Sequence, residues 1–300
     1  MEGTYESIAR KMDALGIWGS LLPYNWAVKP LGTVFPYFCM TMRGDRKPVK
    51  VRFLMLEGWQ TLHDFVRARV DRDFGFYSSP IEFPHLELVI LENGEMKLFR
   101  HDTGLMPAEA DERQAALAAR ILWEAYGVML RLEADPRLPM RYADEKAVFA
   151  RVEVAPGRWE DRPLEIPVPP PYGEKIAFEK ADIKRAQDLP FVGTSVLHVD
   201  FALVHGLQTN DPRPRCVYRL VAFDPAAKAV VMDLRASVTP DLGLKKMWES
   251  MPSQFLKALV ELGRVPGEVK VATGRMFRML RPLCIDLPFR LSLHDRLEFA

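Results

Sequence analysis

The chain has 300 residues, 48% of them hydrophobic and 10% aromatic, which is the composition of a globular protein long enough for two ordinary domains and excludes intrinsic disorder. Its 41 basic and 40 acidic residues nearly cancel, to a net charge of +1, so overall charge identifies no partner. Three widely spaced cysteines, Cys39, Cys216 and Cys284, fit neither a disulfide framework nor a CxxC zinc site and read as buried reduced thiols. Met1 to Ser7 carries acidic residues and no apolar core, and no uncharged run approaches the ~20 residues that span a bilayer, so a soluble, cytoplasmic protein with no membrane partner is expected. The common phosphate-loop, dinucleotide, zinc-protease and serine-hydrolase motifs do not occur.

Thr4 to Leu15 places Tyr5, Ile8, Met12 and Leu15 on one helical face, with Gly16 as a stop. The runs Tyr37–Arg43 and Val49–Leu56 flank Gly44-Asp45-Arg46-Lys47-Pro48 and predict a β-hairpin. A helix over Gln60–Phe74 follows, closed by Gly75. Leu86–Leu91 and Glu95–His101 enclose Glu92-Asn93-Gly94, where Asn-Gly accepts the positive φ of a tight hairpin. The stripe Leu117, Ile121, Ala125, Val128, Leu132 predicts a long helix over Pro107–Ala134 with a charged, solvated opposite face. Ala147–Val154 and Arg162–Val168 read as strands around Ala155-Pro156-Gly157.

Proline is unusually frequent, 24 residues in the chain, and five lie between Pro163 and Pro171. Such a stretch sustains neither a helix nor a central strand and reads as an extended connector leading to a helix from about Lys175 to Gln187. A proline-rich recognition motif for a protein partner is the rival reading. The expected organisation is therefore 1–162 as an N-terminal α+β domain of hairpins and helices, 163–193 as connector and helix, and 194–300 as a second domain. In that domain Ser195–His205, Cys216–Asp224 and Ala229–Arg235 form an antiparallel meander. A helix over Pro252–Leu262 follows, then a strand Glu268–Ala272, a helix capped by Thr273 and reaching about Arg281, and a last strand Phe289–Leu293. The order is βββαβαβ.

That order, with Asp200 in the middle of Val196-Leu197-His198-Val199-Asp200-Phe201-Ala202-Leu203, resembles the ribonuclease H-like superfamily, which includes integrase and transposase cores. The resemblance covers the chain from about residue 194, and Trp248 with Gly263-Arg264-Val265-Pro266-Gly267 also resembles bacterial domains of unknown function. It implies a site at Asp200 where carboxylates hold Mg2+ for phosphodiester chemistry, with Glu249 or Asp295 as co-ligands. Where such enzymes carry a second Asp, after the fourth strand, this chain has Val271-Ala272-Thr273-Gly274. A Mg2+ site needs several carboxylates to replace water ligands. With one Asp assured, a non-catalytic binding or interaction protein is favoured, and a metal-dependent nuclease or phosphodiesterase using Asp200 is the alternative.

His198 and Asp200 alternate onto one sheet face, either as an acid–base or metal pair or as ordinary strand polarity. Thr273, Gly274 and Arg275 offer backbone N–H groups and a cation to an anion, or simply cap a helix. Seven basic residues against three acidic ones between Arg264 and Arg296 give a local excess of positive charge. Arg275 and Arg278, one turn apart, are expected to reach solvent and could meet nucleic-acid phosphates. His63-Asp64 and His101-Asp102 have no linked nucleophile. Trp18, Tyr24, Trp26, Phe35, Tyr37 and Phe38 read as packing of the N-terminal segment on the first hairpin.

Overall fold

Two mixed sheets and seven α-helices make the protein an α+β structure, given by a computed structural model that describes residues 3–16, 26–43, 47–70, 83–142, 146–168, 176, 178–204, 213–237 and 243–297. Packing divides the chain into two units, one of Met1–Asp64, Phe83–Asp102 and Pro107–Pro170, the other of Phe65–Glu82, Thr103–Met106 and Pro171–Ala300. The second unit thus takes two short pieces of the first half, which no change of composition announces. Trp18, Tyr24, the loop residues 44–46, the expected helix end at Phe74-Gly75, the connector from Pro169 to Lys175 and His205 lie outside the described residues. No helix of the described residues is long and apolar enough to cross a membrane.

In the first unit, α1 (Tyr5–Ala14) is capped by Thr4, whose side chain accepts from the Ser7 N–H, and is followed by Gly16 at φ +66°. Strands β2 (Tyr37–Arg43) and β3 (Val49–Glu57) form the expected antiparallel hairpin. Helix α2 (Gly58–Val70) follows directly on β3 and is divided between the two units at Asp64 and Phe65. Strands β4 (His85–Leu91) and β5 (Met96–His101) turn through Asn93-Gly94, with Gly94 at φ +83°. Strand β1 (Trp26–Lys29), where sequence reading expected only packing of the N-terminal segment on the first hairpin, pairs antiparallel with β2 and parallel with β7 (Ala147–Ala155). With β6 (Ala108–Glu109) and β8 (Arg158–Glu165) the sheet order is β6-β5-β4-β3-β2-β1-β7-β8. Four-residue β1 joins the two parts of that sheet, and its Trp26, Ala27 and Val28 are buried. Pro163 lies inside β8, at the sheet edge, where its missing N–H costs no ladder bond.

Helix α3 (Glu112–Ala134) starts five residues later than its hydrophobic stripe and Pro107 predict. Asp111 and Gln114 close a reciprocal capping box there, and 108–109 pair with β5 instead. Ile121, Leu122, Val128 and Met129 pack with Ile8 and Met12 of α1 against Phe53, Leu88 and Phe149 of the sheet. Part of the charged face of α3 is not simply solvated. Arg120 pairs with Glu153, Arg131 with Asp161 at 2.5 Å, and Glu124 with Arg151 at 2.8 Å, which ties the helix to β7 and β8.

In the second unit, α4 (Lys180–Gln187) precedes β9 (Phe191–Leu203), β10 (Val217–Asp224) and β11 (Ala229–Ser237), an antiparallel meander. Helix α5 (Gly243–Leu262) begins nine residues before Pro252, which is internal rather than a first-turn residue. The buried stripe Met247, Trp248, Met251, Phe255, Leu256, Leu259 runs across the proline, and this burial outweighs the one backbone hydrogen bond that Pro252 removes. Strand β12 (Val265–Val271) is followed by α6 (Gly274–Leu280), the one-turn α7 (Leu283–Asp286) and β13 (Arg290–Leu293). The sheet order is β11-β10-β9-β12-β13, with β12 parallel to both β9 and β13.

Leu197, Val199 and Phe201 of β9 enter one core with α5 and α6, so Val196, His198 and Asp200 belong to the other face. At the β9–β12 irregularity, a Cβ on Gly267 would sit 2.0 Å from the Gly193 carbonyl oxygen, whereas one on Gly127, inside α3, would meet nothing within 4 Å. Gly267→Ala is expected to lower unfolding free energy by about 1–3 kcal/mol, and Gly127→Ala to raise it by about 0.5–1 kcal/mol. Denaturant unfolding of both variants measures the opposite signs.

Candidate functional site on the polar face of the second sheet

The face of β9 turned away from the helices carries a pocket of about 290 Å³ lined by Val196, His198, Pro225, Lys270, His294 and Arg296. Its geometry follows from pairing. His198 stands opposite Lys270, and Lys270 opposite Ser292, so three adjacent strands contribute one row of polar side chains. Chain continuing past β13 brings in His294, whose N–H donates to the Val271 carbonyl at 2.9 Å. On the other side, Asp224 accepts from the N–H groups of Ala226 and Ala227 at 2.9 and 3.1 Å and from Arg264 at 2.6 Å, which fixes the turn that presents Pro225. Burial works against the charge of Asp224, yet these donors and the Arg264 guanidinium hold its pKa below the usual value.

The basic excess of the C-terminal stretch is sorted by these contacts. Arg264 is held by Asp224, and Arg290 by Glu268 at 2.8 Å. Arg275 lies over the Trp248 ring, 4.2 Å from its centroid, and both Arg275 and Arg278 are half-buried rather than free to reach solvent as their helical spacing predicts. They sit on α6, which packs by Met276 and Met279 on the face opposite the pocket. Thr273 is buried and its hydroxyl oxygen accepts from the Met276 N–H at 3.2 Å, so it serves as the helix cap, with Gly274 as the first helical residue. Lys270 and Arg296 remain: among the described residues neither is in an ion pair, and both face the pocket.

Asp200, Glu249 and Asp295 are not brought together. Among the described residues, the group of three potential ligands that converges is His85, Glu87 and His101, and it contains none of them. Glu249 is on α5, which packs on the face of β9 opposite to that of Asp200, and Asp295 is exposed two residues after β13. Asp200 accepts a 2.8 Å bond from the Phe201 N–H, and burial raises its pKa above the usual value while that bond partly opposes the rise.

Ser292 and His294 are 2.9 Å apart, but the Ser292 hydroxyl is also 2.8 Å from Glu268 Oε1. Burial opposes the charge of Glu268, and Ser292, Arg290 and Lys270 nevertheless keep its pKa low. An ionised carboxylate only accepts, so Ser292 donates to Glu268 and His294 donates to Ser292. That is the reverse of a serine–base pair, in which histidine takes the hydroxyl proton.

The remaining candidates fall elsewhere. Asp64 is held by Gln60 at 2.9 Å and His63 packs beside Trp59, both within α2. His101 and Asp102 do not act as a pair: His101 turns to Glu87 at 2.7 Å and Asp102 to Arg100 at 2.8 Å. All three cysteines are free thiols, with Cys39 and Cys216 buried and Cys284 half-buried. Trp26, Tyr37 and Phe38 are buried in or on the first sheet, whereas Phe35 is half exposed.

No family model, curated protein or solved structure matches the chain.

Because the folded state raises the Asp200 pKa, ionising this group opposes folding at pH values above that pKa, and the penalty disappears as pH falls below the unfolded value of about 3.9. Asp200→Asn keeps an acceptor for the Phe201 N–H. It is expected to raise the melting temperature at pH 7, with the gain vanishing near pH 3, in thermal unfolding recorded across that range.

Proposed function

We propose that the second unit is a diverged ribonuclease H-like domain that binds a phosphate-bearing ligand, with a nucleic-acid strand as the first candidate, on its polar sheet face without cleaving it. Support for the likeness comes from the β11-β10-β9-β12-β13 order with β12 and β13 parallel to β9, and from Asp200 standing on the central strand. The observation that carries the binding reading is the pocket itself. Lys270 and Arg296 line it as cations with no ion-pair partner among the described residues, and His198 and His294 add imidazole nitrogens. The non-catalytic reading follows from chemistry: among the described residues Asp200 belongs to no group of three converging ligands that could hold Mg2+, and Ser292 is engaged with Glu268.

Anisotropy titration of a labelled single-stranded oligonucleotide at low salt is expected to show saturable binding. Two pocket cations predict a shallow salt dependence, with a log–log slope of roughly −1.4 for a single strand. Lys270→Glu with Arg296→Glu is expected to abolish that binding, and Arg281→Glu, outside the pocket, to leave it. Absence of binding to DNA or RNA by the native chain, or equal binding by the double variant, removes this assignment. Mg2+-dependent cleavage that Asp200→Asn abolishes would favour the nuclease reading instead.

A further inference from the structure

The first unit holds a buried polar cluster that the phosphate-binding reading does not use. His85 and Glu87 are two apart on β4 and project from the same face, and His85 stands opposite His101 on β5. The two imidazoles stack with centroids 4.0 Å apart and planes 16° from parallel. All three residues are at least 97% buried, with relative exposures of 3%, 3% and 2% for His85, Glu87 and His101. One ligand atom from each lies within 4.8 Å of the other two.

Hydrogen bonding specifies what each ring presents. His85 Nδ1 is 2.7 Å from the Phe83 carbonyl oxygen, which only accepts, so Nδ1 carries the proton. His101 Nε2 is 2.7 Å from Glu87 Oε2, and Arg52 approaches Oε1 of the same carboxylate at 3.3 Å. Burial opposes the Glu87 charge, but the hydrogen bond from His101 and the Arg52 guanidinium keep its pKa low, so the carboxylate accepts and His101 Nε2 donates. The other nitrogen of each ring, His85 Nε2 and His101 Nδ1, is buried and has no hydrogen-bond partner among the described residues. A buried unpaired imidazole nitrogen is costly, and here there are two on stacked rings. A neutral imidazole whose far N–H is fixed by a backbone carbonyl, as in His85, is an arrangement found around metal-bound histidines. His85 is kept neutral, its pKa pushed down to about 3 by burial and by His101, so a proton does not compete for its lone pair.

We propose that His85 Nε2, His101 Nε2 and a Glu87 oxygen form a binding site for a divalent transition-metal ion of the Zn2+ class, the ion taking the place of the proton between His101 and Glu87, which is released to solvent. Two imidazoles and one carboxylate select such an ion over Mg2+ or Ca2+, and three protein ligands leave a position for water or an exogenous ligand. Donors bound at about 2.0–2.1 Å lie about 3.4 Å apart in a tetrahedron, so the rings tilt out of their stack when the ion enters. Arg52 pairs with Glu87 at 3.3 Å and balances its charge.

Untagged native chain, stripped with EDTA and dialysed, is titrated with ZnCl2 by calorimetry, and with CoCl2 by visible absorption. One equivalent of Zn2+ is expected to bind and to raise the melting temperature, and Co2+ to give the intense d–d bands of a low-coordinate site. His85→Ala and His101→Ala are each expected to weaken Zn2+ binding at least about 100-fold, and Glu87→Gln about 10- to 100-fold. His294→Ala and Lys270→Glu, both in the other unit, are expected to leave it unchanged, which separates this site from the phosphate pocket. Should the histidine variants fail to fold, X-ray absorption on the zinc-loaded native chain counts its ligands, with two imidazoles expected. No binding by the native chain, binding that survives His85→Ala, or a spectrum without two imidazoles overturns the assignment.

Discussion

β9 pairs on both sides, antiparallel to β10 and parallel to β12, so its side chains have only the two faces of the sheet to occupy. Leu197, Val199 and Phe201 go to the helices, where Phe201 packs 4.6 Å from Trp248 and 5.3 Å from Tyr218, centroid to centroid. Period-two alternation then commits Val196, His198 and Asp200 to the opposite face. A slip of one residue would bury a carboxylate among apolar groups and expose the core set, so the register is strongly specified. The close approach of Gly193 and Gly267 belongs to the same constraint, because any side chain at 267 would push β12 away from β9.

With that register fixed, the chemistry of the polar face is a matter of which charges are already neutralised. Asp224 engages Arg264, Glu268 engages Arg290 and Ser292, and Asp233 engages Arg219 at 2.6 Å. Lys270 and Arg296 line the pocket together with His198 and His294. Three acidic residues of this region, Asp224, Asp233 and Glu268, are thus held by arginines, while Lys270 and Arg296 are in no ion pair among the described residues.

Local signals were legible where the backbone itself demands a residue type. Gly94 needs positive φ, Thr273 caps α6, and the alternation of β9 is visible in the sequence as written. Signals that depend on register were not. β1 is four residues long and gains its place from neighbours 37 and 149, far off in sequence. The start of α5 was obscured because Pro252 reads as a helix start unless the buried stripe before it is given more weight. Arg275 and Arg278 have solvent-facing spacing on an isolated helix, but the indole of Trp248 captures the first. Among the seven basic residues, composition could not tell Lys270 and Arg296 from Arg264 and Arg290, since pairing across strands makes the difference. His85, Glu87 and His101 are scattered over seventeen residues, and only the β4–β5 hairpin stacks the two rings.

The central claim is that the polar face of the second sheet, and not the α6 side, receives a phosphate-bearing ligand. Amide chemical-shift mapping of labelled protein during addition of a short oligonucleotide tests this most directly. Shifts concentrated at 196–200, 225, 270 and 292–296 are the expected result. Shifts confined to 273–281, or none anywhere at low salt, would contradict it.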